Sequence, residues 1–383
     1  MTSQDNTQPD RPVHGGIKPA ELRALGLTPE EVLDFSASIS PIGPPEGIRQ
    51  AIAEVDLTAY PDPHCLELIE VLACHLSSNS DSGQTIDSGR LLFGNGSTEI
   101  IHLLARAYLP SSFENPRSEI GASALILTPT YGEYQGACLL QGALLSSLDA
   151  GPSPDFRWDL EAASELISSQ APQLVFLCNP NNPTGSYLEQ KEVETLADAV
   201  GRGAGLLILD EAYVSFVEQP WDSLAILNRP NVVILRSMTK NYALTGLRAG
   251  YCIASEPVIS RLAAYQPDWS VNGLAQAGVM AALADTDYLT RSRFEVARSK
   301  EFLIQRLKAL DFEVPPSAAN FLLARVGDAQ SWRDQLAWKG MFVRDCTSFG
   351  LSEFIRIGIR SLPDCQQLMG TMEALARRGK VLT

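Results

Sequence analysis

Between residues 124 and 254 the chain repeats one alternation. A run of four or five consecutive apolar residues is followed by a polar turn, then by apolar positions at helical spacing. The apolar runs fall at 124–127, 174–178, 206–209, 232–235 and 251–254. Runs that are apolar at every position fit strands covered on both faces, as in a parallel sheet flanked by helices. Helical spacing occupies 98–108 and 188–200. From about residue 267 the pattern changes. A long helical stretch over 273–310 precedes short strands at 321–326 and 354–359. The expected architecture is α/β, with a mostly parallel sheet in a large domain and a smaller α+β domain. Residues 1–12 are polar and read as a loosely packed tail. Segment 36–45 ends in Pro-Ile-Gly-Pro-Pro, which forms neither helix nor central strand. Residues 77–89, rich in Ser, Asp and Gly, read as a surface loop.

Composition narrows the function. Thirty basic against 45 acidic side chains leave a formal charge of −15 over 383 residues. Nucleic acid and anionic membranes need basic surface, so neither is expected as a partner. A few converging arginines could still build a local site for an anionic small molecule. The seven cysteines are scattered and form no C-x-x-C pair, which argues against a disulfide framework or a metal site. With no apolar signal core at the start and no bilayer-length apolar run, the expected compartment is the cytoplasm.

The candidate chemistry sits where the strands end. Residues 174–178 run into Asn-Pro-Asn-Asn-Pro-Thr-Gly (179–185). Residues 206–209 run into Asp210-Glu211-Ala212-Tyr213, and 232–235 into Arg236-Ser237-Met238-Thr239-Lys240. Sheets of this kind place ligands at the C-terminal ends of their strands. A charged residue after a strand is usually a cap or turn. An Asn, an Asp and a Lys on three neighbouring strand ends, with Arg248 eight residues beyond the lysine, are far more specific. Gly94-Asn95-Gly96-Ser97-Thr98-Glu99 opens a helix whose N–H groups favour an anion. It is not a dinucleotide fingerprint, because its last position is Glu99.

At these stations the chain resembles the fold-type-I pyridoxal-phosphate (PLP) enzymes, the class I/II aminotransferase family, from His14 onward. The resemblance implies the aspartate-aminotransferase-like fold with a seven-stranded sheet. It divides the chain into an N-terminal arm (1–45), a large PLP-binding domain (46–266) and a small C-terminal domain (267–383). It makes Lys240 the Schiff-base lysine and proton shuttle and Asp210 the partner of the pyridinium nitrogen. Asn182 and Tyr213 would bond the ring's phenolate oxygen. Tyr131, in Thr-Pro-Thr-Tyr-Gly-Glu-Tyr, would stack on the ring. Gly96, Ser97, Thr98, Ser237 and Arg248 would cradle the phosphate. Tyr60, in Tyr-Pro-Asp-Pro, would reach the phosphate of a second subunit, which requires a homodimer.

Within this family, His14-Gly15-Gly16, Asp34 to Pro45, Trp269 to Gln276 and Val343 to Leu351 resemble the threonine-phosphate decarboxylases of cobalamin synthesis. That resemblance implies decarboxylation of L-threonine O-3-phosphate to (R)-1-amino-2-propanol O-2-phosphate. Arg356 and Arg344 would hold the substrate's anionic groups, with His14, Ser36, Ser38 and Asn182 as further contacts. The alternative is an aminotransferase like the histidinol-phosphate enzymes, and a more remote one is a non-catalytic PLP-binding protein. Ser38 and Ser40 stand where these families usually carry Asn. Arg360, four residues past Arg356, is expected on the same strand face, as a structural ion pair.

Overall fold

The computed structural model describes residues 13, 15–109, 122–153 and 155–381. Its strands in chain order are β1 (Leu33–Asp34), β2 (Leu91–Asn95), β3 (Ser123–Thr128), β4 (Leu144–Asp149), β5 (Leu174–Cys178) and β6 (Leu206–Asp210). There follow β7 (Val232–Ser237), β8 (Ala249–Ile253), β9 (Phe321–Arg325), β10 (Met341–Phe342), β11 (Arg344–Asp345) and β12 (Phe354–Gly358). Seven strands form the large sheet in the order β2-β8-β7-β6-β5-β3-β4. β7, β6, β5, β3 and β4 run parallel, whereas β8 is antiparallel to both its neighbours.

The apolar runs explain this sheet. Successive residues of a strand point to opposite faces. Val175, Leu177, Leu207 and Leu209 enter one core, while Leu174, Phe176, Leu206 and Ile208 enter the other. Every residue of β5 and β6 is buried. Such strands have no polar face, which is why they read as unbroken apolar segments.

A second sheet, β11-β12-β9, is antiparallel, and β1 pairs in parallel with β10. The chain's early residues thereby join a sheet formed some 300 positions later. Gly358 permits this packing. A Cβ there would lie 2.6 Å from the Ala37 carbonyl oxygen.

Two details differ from the pattern reading. The stretch 273–310 is two helices, Gly273–Ala284 and Tyr288–Lys308. Between them Asp285-Thr286-Asp287 turns the chain, since short polar side chains favour turns over helix interiors. β4, Leu-Leu-Ser-Ser-Leu-Asp, was not anticipated. It is the sheet's edge and only partly covered, so it carries no continuous apolar run.

Candidate active site

The functional candidates converge at one edge of the large sheet. β5, β6 and β7 deliver Asn182, Asp210 and Lys240 at their C-terminal ends. β8 runs the other way, so its beginning lies at this edge and brings Arg248. β2, antiparallel to β8, ends here too and leads into the helix Ser97–Tyr108. A cavity of about 170 Å³ opens at this edge. Its walls include Gly96, Ser97, Thr98, Tyr131, Asn182, Asp210, Tyr213, Ser237, Lys240 and Arg248, together with Ser36, Ser38, Arg344 and Arg356.

Backbone shape makes the Gly96 end. Gly96 has φ +77°, and a Cβ there would sit 2.7 Å from Arg248 Nη2. A Cβ on Gly250 would lie 2.4 Å from the Ser97 nitrogen. Two glycines thus bring a helix N-terminus, Arg248 and the Ser237 hydroxyl around one space suited to an anion.

Asp210 is buried, and Tyr134 donates its hydroxyl to Asp210 Oδ2 at 2.8 Å. The Ala212 N–H reaches Oδ1 at 3.0 Å. Burial outweighs these donors and raises the carboxyl to about 6, so it remains largely ionised at pH 7. Lys240 is moved the other way. Burial first, then the Arg356 and Arg248 charges, lowers its ammonium to about 8. Its main-chain carbonyl accepts from the Ser40 N–H at 2.8 Å, which ties the arm to the lysine.

At the far end, Arg356 donates to Asn182 Oδ1 and, at 2.8 Å, to the Ser36 carbonyl. Its Nε has no partner. Arg344 donates to the Val13 carbonyl at 3.0 Å and the Ser348 hydroxyl at 2.6 Å. Burial and the nearby Arg356 charge pull it below the usual guanidinium range. The arm residues take unlike places. Ser36 Oγ donates to Asp34 at 2.6 Å and accepts the Gly16 N–H at 2.8 Å, so it braces the arm. Ser38 is 1% exposed, and its hydroxyl has no hydrogen-bond partner among the described residues. Ser40 shares hydrogen bonds with Ser292 and Tyr288 and does not line the cavity.

Other candidates lie apart. His14 is outside the described residues. Tyr60 is 82% exposed, its ring tilted by 30° against that of Trp269 at 4.8 Å, and it is not among the described residues that wall its own chain's cavity. Arg360 lies beyond the end of β12, so it does not share a strand face with Arg356. It pairs with Asp364 at 3.0 Å, as a structural ion pair should. Tyr134 was missed by the sequence reading. It is the second tyrosine of Thr-Pro-Thr-Tyr-Gly-Glu-Tyr, three residues after Tyr131, and its ring stacks on Phe176 at 4.9 Å. Among the described residues no cluster of three or more His, Cys, Asp or Glu could hold a metal, and no helix is long and apolar enough to cross a membrane.

Residues 30–372 match the family model of aminotransferase class I and II. The chain belongs to this family. Its members are pyridoxal-phosphate enzymes, and the residues present fit that cofactor. The glycine-lined anion space, a partly desolvated lysine amine and a buried carboxylate occupy one cavity. A histidinol-phosphate aminotransferase from Moorella thermoacetica is 34% identical over 89% of this chain and 85% of its own. The structure of the Sinorhizobium meliloti histidinol-phosphate aminotransferase, in complex with pyridoxal 5'-phosphate, superposes with TM-score 0.84 at 24% identity. It covers 98% of this chain and 99% of that one. The L-threonine-O-3-phosphate decarboxylase from Porphyromonas gingivalis superposes with TM-score 0.74 at 26% identity, covering 90% and 99%.

These similarities correct the expected reaction. The threonine-phosphate decarboxylase reading, with its place in cobalamin synthesis, gives way to the aminotransferases. Relatives from Moorella thermoacetica and Thiobacillus denitrificans, 34% and 33% identical, are both histidinol-phosphate aminotransferases. The motifs that resemble the decarboxylases are the arm, the segment Trp269 to Gln276 and the segment around Arg344, and of these the arm and Arg344 line the cavity. Binding an anion does not select which bond at Cα breaks.

Proposed function

We propose that the protein transfers the amino group of a phosphorylated amino compound of the histidinol-phosphate type to a dicarboxylic 2-oxo acid. The charge inside the cavity carries this reading. Among its described lining residues, Lys240, Arg248, Arg344 and Arg356 face a single carboxylate, Asp210. Such a cationic pocket in a chain of net charge −15 is selective for anions. Arg248 beside Gly96 serves the cofactor phosphate. Arg344 and Arg356 remain for substrate, and their planar forks bind phosphate or carboxylate oxygens in pairs. The two arginines hold the phosphate of one substrate and, in the return half-reaction, the two carboxylates of the other.

Pyridoxal phosphate, when bound, supplies the electron sink and carries the amino group. The chain's own residues do the rest. Lys240, lowered to about 8, has about one amine in ten unprotonated at pH 7. Its Nζ would take the proton from the substrate's Cα and give it to the carbonyl carbon that receives the amino group. Asp210 holds a positive charge at the buried end of the cavity, and Tyr134 holds Asp210. Tyr131 would pack against the cofactor ring, and Asn182 and Tyr213 would donate to its oxygen. Ser97, Thr98 and Ser237 join Arg248 at the phosphate.

Two wider features belong to the same proposal. The chain divides into an arm (1–45), a large domain (46–266) and a small domain (267–383), supported by the separate sheets and by β1 pairing with β10. A second copy completes each site. Tyr60, Leu57, Leu66 and Trp269 are large, exposed and close in sequence or contact, which suits a covered subunit face.

Incubation with L-histidinol phosphate and 2-oxoglutarate tests the reading. Glutamate formation that depends on both substrates is expected. Turnover of unphosphorylated amino acids with none of histidinol phosphate would overturn it.

A further inference from the structure

β6 ends in Asp210 and Glu211 follows it; both carboxylates are buried, and only Asp210 lines the cavity. Alternation sends Glu211 to the opposite side of the strand end. Glu211 Oε2 accepts from Arg236 Nε at 3.0 Å and from the Ser223 hydroxyl at 2.8 Å. Arg236 Nη2 also reaches Ser223, at 3.1 Å, which closes a triangle. The Glu211 side chain is 1% exposed and that of Arg236 is 21%.

This triangle joins the ends of β6 and β7. Arg236 precedes Ser237, and four residues later comes Lys240. The Arg236 carbonyl oxygen lies 3.1 Å from where a Gly250 Cβ would stand, the same point that lies 2.4 Å from the Ser97 nitrogen. The Arg236 main chain therefore backs the anion-binding turn, and the two residues of the pair are the immediate chain neighbours of Asp210 and Ser237. A cavity of about 70 Å³ lies on this side, walled by His75, Glu211, Ser215, Arg236 and Asn241 among others.

We propose that Arg236 and Glu211 are positioning residues for the cofactor site, and that Arg236 screens the Glu211 charge from its neighbour Asp210. The inference is independent of which amino compound the enzyme uses. Groups facing Asp210 are Tyr134, Cys178, Tyr131, Tyr213 and Lys240. Those facing the pair are His75, Tyr187, Asp222 and Tyr251. Burial is the main cause that lifts Asp210, and the Glu211 charge adds to it. An unscreened Glu211 would lift it further.

The sign follows from linkage. A cofactor that binds ionised Asp210 must displace a proton once pH falls below the carboxyl's value in the free protein. Affinity then drops about tenfold per pH unit. The full-length protein, stripped of cofactor and titrated with pyridoxal phosphate across pH 5–8, reads that break as a change of slope over the background from Lys240 and the cofactor phosphate, which all the variants share. Glu211→Gln removes the repelling charge and leaves Arg236, so the break moves to lower pH, by about one unit. Arg236→Met leaves two adjacent buried carboxylates and moves it to higher pH by a similar amount. Arg236→Lys keeps the charge and restores the break of the unaltered protein. The double variant Glu211→Gln with Arg236→Met lies between the singles. Opposite shifts support the screen. Equal loss of affinity in both single variants at every pH, with the break unmoved, overturns it, because a purely structural pair weakens binding without moving a titration. If histidinol phosphate is not the substrate, this result is unaffected.

Discussion

At the lysine end of the cavity, Thr98, Asn182, Asp210 and Lys240 each lie within a few residues of the end of a strand in one sheet. At the arginine end, Arg344 and Arg356 come from β11 and β12 of another sheet. They are met by Val13 and Ser36, which are 331 and 320 positions away in the chain. The lysine end is held by the central strands of one sheet, with every residue of β5 and β6 buried. The arginine end is assembled by a thin arm laid across a second sheet. The contrast separates chemistry from selectivity, since groups that move protons need fixed geometry, whereas groups that recognise varied anions can be rebuilt without disturbing it.

The largest effect should come from the lysine end. Lys240→Ala removes the one lysine amine among the described residues of the cavity wall. Turnover is expected to fall on the order of 10⁴-fold, since both the covalent anchor and the proton carrier are lost. Borohydride reduction of the unaltered protein followed by peptide mapping should label Lys240. A label on another lysine would show that the strand-end reading misplaced the site.

Next come the arginines. Arg356→Ala takes away a guanidinium that is 5% exposed and leaves Asn182 and the Ser36 carbonyl without their donor. Its kcat/KM is expected to fall about 10²-fold or more, chiefly through KM, as a charge-assisted contact to substrate is worth a few kcal/mol. Arg344→Ala should act in the same direction and less strongly, because Arg344 also bonds the Val13 carbonyl and Ser348. Cofactor affinity should stay within a few-fold in both variants. If cofactor binding collapses instead, the two ends are not separable.

The same contrast explains how much the sequence revealed. Asp210, Lys240 and Asn182 follow apolar runs that any buried parallel strand must have, so their placement at a common edge could be read from pattern and spacing. Tyr134 was within reach, because it stands three residues from Tyr131 at the start of a helix, yet nothing local shows that its hydroxyl meets Asp210 across 76 positions. The arm was harder still. Ser36, Ser38 and Ser40 are three serines in one short segment, and only tertiary contacts separate the brace, the unpartnered hydroxyl and the anchor on Ser292. The reaction was misread for a related reason. Motifs at the arginine end point to an anionic substrate, and histidinol phosphate and threonine phosphate are both anions.

Tyr134→Phe probes the join between chemistry and sheet. It removes the hydroxyl that holds Asp210 Oδ2 and keeps the ring stacked on Phe176. That bond lowers the Asp210 carboxyl, so its loss raises the value above about 6. A higher value means protonation begins at higher pH, and the acid limb of kcat/KM should move upward. At pH 8 the variant should lie within about tenfold of the unaltered enzyme, consistent with one hydrogen bond to a charged group. An unmoved acid limb would show that Tyr134 only packs.

The smallest effect, and the sharpest test of the arginine end, belongs to Ser38. Its hydroxyl is buried without a hydrogen-bond partner, although it lines the cavity between Ser36 and Lys240. A buried polar atom left unpaired costs about 1–3 kcal/mol relative to its solvated state. A fold that tolerates this gains by it only when something in the cavity accepts or donates. Ser38→Ala should therefore leave the melting temperature of the substrate-free enzyme unchanged or slightly higher, since no protein contact is lost. KM for the phosphorylated substrate should rise about three- to tenfold, the usual weight of one hydrogen bond to an anionic group, with kcat nearly constant. Ser38→Asn, which extends the side chain further toward the arginines, should change KM unequally for the two half-reactions, because a phosphate and a carboxylate differ in size. A Ser38→Ala enzyme with unaltered KM for both substrates would place the serine among packing residues and shift recognition wholly onto Arg344 and Arg356.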